Sequence, residues 1–260
     1  MSDEKRTYVV TGSASGIGRA TCALLTSEGH RVVDVDQRDA TITADLSTPA
    51  GRASMVDDVR DATGGRIDAI IANAGVNGDA AMCVRVNFFG AVATLTGLRP
   101  LLAGSPAPRA VATASSSVMN AFDQATLDAC LAGDEDAAVA AAARIGLAGY
   151  PTSKRALARW IRRQAPLQTW AGAGIGLNAV GPGVVQTPMT APLLEDAAMV
   201  ELIEAAVPMP YGGQARPEQI ARAIAFLADG ATERITGQVL FIDSGADAVL
   251  RGDDIWGDPV

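Results

Sequence analysis

The chain has 260 residues, 48% of them hydrophobic, enough for one large core, and α/β folds of this length often form a single domain. Its net charge of -8, with no basic stripe to neutralise phosphates, argues against nucleic acid as a partner. A single histidine, His30, leaves neither a Ser-His-Asp triad nor a His-rich metal site to be expected, so no metal is assigned and proton chemistry falls to Tyr, Lys or carboxylates.

Met1–Arg6 is polar, shows no secretory pattern and leads into Thr7-Tyr8-Val9-Val10, an apolar run that reads as a buried strand ending at Gly12. Gly16 to Glu28 has helical apolar spacing and a glycine stop at Gly29. Arg31 to Val35 reads as the next strand, with Asp36 at its end. Thr41 to Ala44 reads as a short third strand. A helix follows, with Ser47 as its N-cap and Pro49 in its first turn. Asp68 to Ala72 is a strand entering Asn73-Ala74-Gly75, and a long helix spans roughly Ala81 to Leu102. Ala110 to Ala114 is a strand entering Ser115-Ser116-Ser117. The alanine-rich stretch at about 120–149 reads as one or two helices. Tyr150 to Trp170 reads as a helix, Ile175 to Val180 as a strand, Pro217 to Leu227 as a helix and Gln238 to Ile242 as a last strand. The longest apolar stretch, Ala137 to Ala148, is interrupted by Arg144, so no membrane span is expected. Cys22, Cys83 and Cys130 lack CxxC spacing, which fits reduced thiols in a cytoplasm.

Strands alternating with helices give a doubly wound α/β fold: one parallel sheet of about seven strands, helices on both faces, one domain over 1–260. In such folds a glycine-rich turn between the first strand and helix brings backbone amides and a helix N-terminus to a dinucleotide's phosphates. Gly12, Gly16 and Gly18 stand at that turn, within Thr11-Gly12-Ser13-Ala14-Ser15-Gly16-Ile17-Gly18. Alone, such a turn is weak evidence. Asp36, about twenty residues on, stands where a carboxylate accepts the adenosine ribose hydroxyls. It would repel a 2′-phosphate and favours NAD over NADP, although the neighbouring Arg38 can accept such a phosphate.

Tyr150 and Lys154 share one helix face. An ammonium near a phenol favours the phenolate, which makes the pair a general acid/base. A surface helix would show the same residues. Ser115 emerges at a strand's C-terminal end, where its hydroxyl can hold a substrate oxygen, with Ser116 and Ser117 as rivals. Asn87, polar within an apolar helix, needs partners.

Taken in order, Thr11–Gly18, Asp36, Asp45-Leu46, Asn73-Ala74-Gly75, Asn87, Ser115, Tyr150-Pro151-Thr152-Ser153-Lys154 and Pro182-Gly183-Val184-Val185-Gln186-Thr187-Pro188 resemble the short-chain dehydrogenases/reductases over almost the whole chain. The resemblance implies that Tyr150 is the general acid/base, that Lys154 lowers its pKa and holds the nicotinamide ribose, and that Ser115 orients the carbonyl or hydroxyl. It also implies that Asn87 positions Lys154 through a water-linked relay. The cofactor would meet Gly12, Ser15, Gly16, Ile17, Gly18 and Asp36; Asp45 and Leu46 at the adenine; Asn73, Ala74 and Gly75; and Pro182, Gly183, Val185 and Thr187 near the carboxamide. Within the family the chain looks like the bacterial 3α-hydroxysteroid dehydrogenase/carbonyl reductase branch, on Gly29–Val33, Ile42–Thr48, Val86–Ala91, Ala121–Asp123, Ile242–Val249 and the long gap between Ser115 and Tyr150.

The reading is an NAD-dependent oxidoreductase interconverting a secondary alcohol and a ketone, with a hydroxysteroid or similar apolar cyclic substrate. Met119, Val184, Met189 and Leu193 are expected to form an apolar pocket, with Pro188 to Ala197 as a lid. The family implies a homodimer or homotetramer. Rival readings are a terpene-alcohol dehydrogenase, an oxoacyl-thioester reductase and a non-catalytic dinucleotide sensor.

Overall fold

The computed structural model describes residues 5–253 and 255. Thr7–Thr11 forms β1 and Gly16–Ser27 forms α1, followed by β2 (Arg31–Asp36), β3 (Ile42–Thr43), α2 (Pro49–Thr63) and β4 (Ala69–Ala72). A continuous helix, α3, spans Ala80–Gly104. Next come β5 (Arg109–Thr113), α4 (Gln124–Ala132), α5 (Glu135–Ala142) and α6 (Gly149–Gln164). The chain closes with β6 (Gly176–Pro182), α7 (Ala191–Leu194), α8 (Ala197–Ala206), α9 (Pro217–Ala228), β7 (Val239–Ile242) and α10 (Ala246–Arg251).

The seven strands form one sheet in the order β3-β2-β1-β4-β5-β6-β7, and every pairing is parallel. The chain runs outward from β1 in one direction, then returns to lay β4 on its other side. That reversal opens a crevice at the carboxyl ends of the strands. β4 and β5 are buried at every position, as central strands covered on both faces must be. Alternate side chains serve the two faces. Val9 and Ile70 pack with Phe88, Leu95 and Leu157 on one side, while Tyr8, Val10 and Ile71 pack with Leu25, Ile220 and Ile224 on the other.

Three local expectations need correction. The cap of α2 is Thr48, whose Oγ1 accepts from the Gly51 amide at 3.0 Å; the helix starts at Pro49, which puts Thr48 and not Ser47 at the cap position. The helix of Tyr150 stops at Gln164 and does not reach Trp170; Pro166 has no N–H to give the Arg162 carbonyl, so the ladder ends there. The longest apolar helix is α3, not the 137–148 stretch. It is long and apolar enough to cross a membrane by length and composition, but it turns Val84, Phe88, Leu95, Leu98 and Leu102 into the core. Its segment Val84–Gly90 is π-helical. Such a turn holds one residue more than an α-turn, and the residue it carries inward is Asn87.

Thr48→Ala is expected to lower the unfolding free energy by about 1 kcal/mol, seen as a lower urea midpoint at constant slope. An unchanged midpoint would show that the cap contributes nothing.

Candidate active site

β1 ends in the glycine turn. Gly12 has φ +72°, and a side chain there would meet the Ala74 Cα at 2.7 Å. Gly18 serves packing: a Cβ on it would strike the Gly12 carbonyl, so only glycine lets α1 settle on the turn. Ser15 is the N-cap residue of α1, yet its side chain makes no capping bond. The Ser13 hydroxyl is buried without a partner. These unspent groups face the positive end of a 12-residue helix, the setting that receives a phosphate.

Asp36 braces this turn from β2. Its Oδ2 accepts from the Ala14 amide at 3.0 Å and its Oδ1 from the Gln37 amide at 2.7 Å. Asn73 stitches the neighbouring strand ends: its Nδ2 donates to the Thr11 and Gly12 carbonyls at 3.2 and 3.3 Å, and its Oδ1 accepts from the Thr113 hydroxyl at 3.1 Å. Beyond β3, the Ser47 hydroxyl and amide hold the Asp45 carboxyl below its ordinary pKa.

The candidate reacting groups gather at the end of β5. Lys154 is 3% exposed, and its Nζ donates to the Thr113 carbonyl at 2.7 Å. Burial pulls its pKa down to about 8. Nζ lies 5.9 Å from the centre of the Tyr150 ring. The Tyr150 residue is half-buried; desolvation raises its phenol above the ordinary value, opposed by the nearby Ser115 hydroxyl. Lys154 is not among the groups that move this phenol in the free protein. Ser115 Oγ accepts from the Ser117 amide at 3.1 Å, which leaves its own proton for the phenol or a ligand. Gly149 packs so tightly on Ala80 that any Cβ there would overlap it, and this contact seats the first turn of α6 against α3.

Asn87 is fully buried. Its Oδ1 accepts from the Val76 amide at 2.7 Å, and its Nδ2 donates to the Val76 carbonyl and to Ser153 Oγ, both at 3.0 Å. It thus holds the loop after β4 and the residue before Lys154, rather than bonding Lys154 itself.

One cavity of about 390 Å³ joins these parts. Gly12, Ser15, Gly16, Ile17, Asp36, Asp45, Leu46, Asn73, Ala74 and Gly75 line it, with Ser115, Tyr150, Lys154, Pro182, Gly183, Val185 and Thr187. Gly18 and Asn87 lie behind it, as do Ser116 and Ser117, so Ser115 alone of the serine run reaches the cavity. The strand order β2-β1-β4-β5 sets Asp36 and Ser115 three strand spacings apart, about 14 Å, a span that an extended dinucleotide bridges. The apolar wall differs from expectation. Met189 lines the cavity with Val76, Met82 and Val86, whereas Met119, Val184 and Leu193 do not; Val184 packs with Val207 and Ala246 in a separate cluster. Thr190 was not foreseen: its hydroxyl donates to the Val185 carbonyl and accepts from the Thr187 amide, fixing that turn. Its signal, a hydroxyl three residues after another in a proline-rich loop, is too common to single out. Among the described residues no cluster of His, Cys, Asp or Glu is placed to hold a metal ion.

A dinucleotide-receiving turn joined to a phenol, a hydroxyl and a buried ammonium defines an oxidoreductase of the doubly wound class. A family model described as enoyl-(acyl carrier protein) reductase matches residues 12–247. The 3-alpha-hydroxysteroid dehydrogenase/carbonyl reductase of Comamonas testosteroni is 37% identical over 252 residues, 94% of this chain and 97% of that one. The 3-alpha-hydroxysteroid dehydrogenase of Pseudomonas sp. B-0831, solved with NADH, superposes with a TM-score of 0.89 at 38% identity, covering 96% of this chain and all of the other. A Beutenbergia cavernae chain solved with NADP at low occupancy superposes with a TM-score of 0.76 at 27% identity, covering 95% of this chain and 98% of its own. The chain belongs to the short-chain dehydrogenase/reductase family, and is an NAD(P)-dependent enzyme of that family acting on CH–OH donors.

The buried Lys154 gives a pH signature. Its folded pKa of about 8 lies below the ordinary 10.5, so the unfolded chain holds its proton longer. The cost of burying the charge is complete below pH 8 and is relieved as pH rises toward 10.5. Cys22 and Cys130, pushed up to about 12, and Cys83, pushed up to about 11, act oppositely, losing stability as pH rises through 9. Lys154→Met isolates the lysine. The stability of wild type relative to this variant should rise by about 2 kcal/mol from near pH 7.5 to near pH 9.5, measured by urea unfolding. Parallel pH profiles would refute it.

Proposed function

We propose that the enzyme interconverts a secondary alcohol and a ketone with NAD, and that its substrate is a hydroxysteroid or a similar apolar cyclic compound. The observation that carries this reading is the convergence of Ser115, Tyr150 and Lys154 on the cavity that the glycine turn and Asp36 also line. When bound, the nicotinamide accepts or supplies the hydride. Tyr150 moves the hydroxyl proton: as a neutral phenol it donates to the forming alkoxide in reduction, and as phenolate it takes the proton in oxidation. Ser115 donates to the substrate oxygen and keeps it beside the phenol. Lys154 supplies positive charge against the phenolate and hydrogen bonds for the nicotinamide ribose. Asn87 is a positioning residue, acting through Val76 and Ser153.

Cofactor contacts fall to Gly12, Ser15, Gly16, Ile17, Asp36, Asp45, Leu46, Asn73, Ala74, Gly75, Pro182, Gly183, Val185 and Thr187, with Gly18 shaping the turn. NAD is favoured over NADP because the Asp36 carboxylate stands at the β2 end of the cavity and would repel a 2′-phosphate. The apolar cyclic substrate is supported by the wall of Val76, Met82, Val86 and Met189 and by the two hydroxysteroid dehydrogenase relatives. The segment 188–197, which presents Met189 to the cavity, serves as the lid. A homodimer or homotetramer in the cytoplasm belongs to the same reading; exposed Phe226, Leu240 and Val249 and unpaired cysteines support it.

A panel of hydroxysteroids, terpene alcohols and simple cyclic alcohols, offered with NAD⁺ and followed at the NADH absorbance band, tests the reading. Steroid oxidation should appear with wild type and fall by at least about 10³-fold in Tyr150→Phe; a fully active variant would sink the acid/base assignment. In Asp36→Ser, which keeps an oxygen for the Ala14 amide, the ratio of kcat/KM with NADP⁺ to that with NAD⁺ should rise about 10- to 100-fold. A wild type that already prefers NADP⁺ would overturn the cofactor assignment.

A further inference from the structure

The segment between Ser115 and Tyr150 sends one charged side chain toward the β3 side of the cavity. Glu135, the first residue of α5, grips Arg52 with both oxygens: Nη1 donates to Oε2 at 2.6 Å and Nη2 to Oε1 at 2.7 Å. Arg52 is 8% exposed, and its remaining bonds all go to main chain. Nε donates to the Leu46 carbonyl at 2.7 Å, while Nη2 donates to the Ser47 and Arg85 carbonyls at 3.2 Å. Every guanidinium nitrogen is thus engaged, and the group lies over the Phe89 ring at 5.9 Å. Arg85, in the π-turn of α3, adds a second cation 3.5 Å from Glu135.

The carbonyls of Leu46 and Ser47 belong to the loop whose Asp45 and Leu46 line the cavity. β3 is only two residues long, and beyond it this loop is held by Leu46 packed in the core, by local bonds to Asp45 and by these bonds from Arg52. We infer that Glu135 is a positioning residue for the adenine end of the cofactor: by orienting the Arg52 guanidinium it sets the Asp45-Leu46 wall. The inference rests on the reading above that this wall meets adenine. A buried guanidinium deprived of its counter-charge is driven toward water. The fork geometry that holds several carbonyls at once is then lost. In this way α5 serves a part of the site to which it contributes no side chain.

The experiment measures dissociation constants of AMP, ADP-ribose, NAD⁺ and nicotinamide mononucleotide for wild type, Glu135→Gln, Arg52→Met, the double variant and Asp45→Ala, by calorimetry on folded protein. Glu135→Gln should weaken AMP, ADP-ribose and NAD⁺ about five- to twentyfold, leave nicotinamide mononucleotide unmoved, and raise KM for NAD⁺ with kcat held within about twofold. In the Arg52→Met background the same change should add nothing, because its route is gone. Equal weakening of all ligands, or of none, in a folded Glu135→Gln overturns the inference. Should Arg52→Met not fold, the contrast between AMP and nicotinamide mononucleotide in Glu135→Gln still decides. Should Asp45→Ala weaken AMP while Glu135→Gln does not, the adenine reading stands and the role of Glu135 falls. If wild type binds no adenine fragment, both fall together.

Discussion

The hydrogen bond from the Lys154 ammonium to the Thr113 carbonyl ties the helix that carries Tyr150 to the end of a central strand. An ammonium taken out of water at this depth is unfavourable unless its donors find acceptors. One of its three donors finds an acceptor in the Thr113 carbonyl. Gly75 leaves room: a Cβ there would stand 3.2 Å from the ammonium and 3.1 Å from the Asn87 amide oxygen. β5 must end one residue before Ala114 to offer the carbonyl, and Ser115 then emerges into the cavity. A strand end and a bare glycine thus accommodate one charge.

Asp36 shows a similar economy. Its carboxylate is bonded to the amide of Ala14 in the glycine turn and to that of Gln37. The group proposed above to meet the cofactor's ribose therefore also shapes the glycine turn. On that proposal selectivity and turn geometry are coupled through one side chain, and altering one would disturb the other unless a hydrogen-bonding oxygen remained at that position.

Much of this was legible in the sequence, because the governing effects are local. Continuous apolar runs such as Ala69–Ala72 read as buried parallel strands, and the glycines of the first turn announce a close approach of backbone. What stayed hidden depends on partners far along the chain. Ser47 and Thr48 are equally good caps by type; the choice fell to Thr48 because the helix starts at Pro49. Gly18 looks like a ligand glycine until α1 is seen resting on the Gly12 carbonyl. The phenol of Tyr150 was expected to be acidified by Lys154, four positions on. The fold leaves that ring half-buried at the cavity, with the ammonium 5.9 Å from its centre, and how a group is solvated is set by everything around it rather than by one neighbour. Arg52 and Glu135, 83 positions apart, leave no mark on each other's local sequence.

The π-turn at Val84–Gly90 has a consequence for how such a chain can change. A helix winds by about 100° per residue, so the additional residue sets the angular phase between the two halves of α3. Loss of one residue here would let the helix relax to regular winding, and everything before the turn would rotate by that angle relative to everything after it. Phe88, Leu95 and Leu98 could keep their places against the sheet only if Ala80 left Gly149 and Met82 left the cavity. A deletion here would therefore be felt along the whole helix, whereas the connection between Ser115 and Tyr150 holds α4 and α5 outside the sheet.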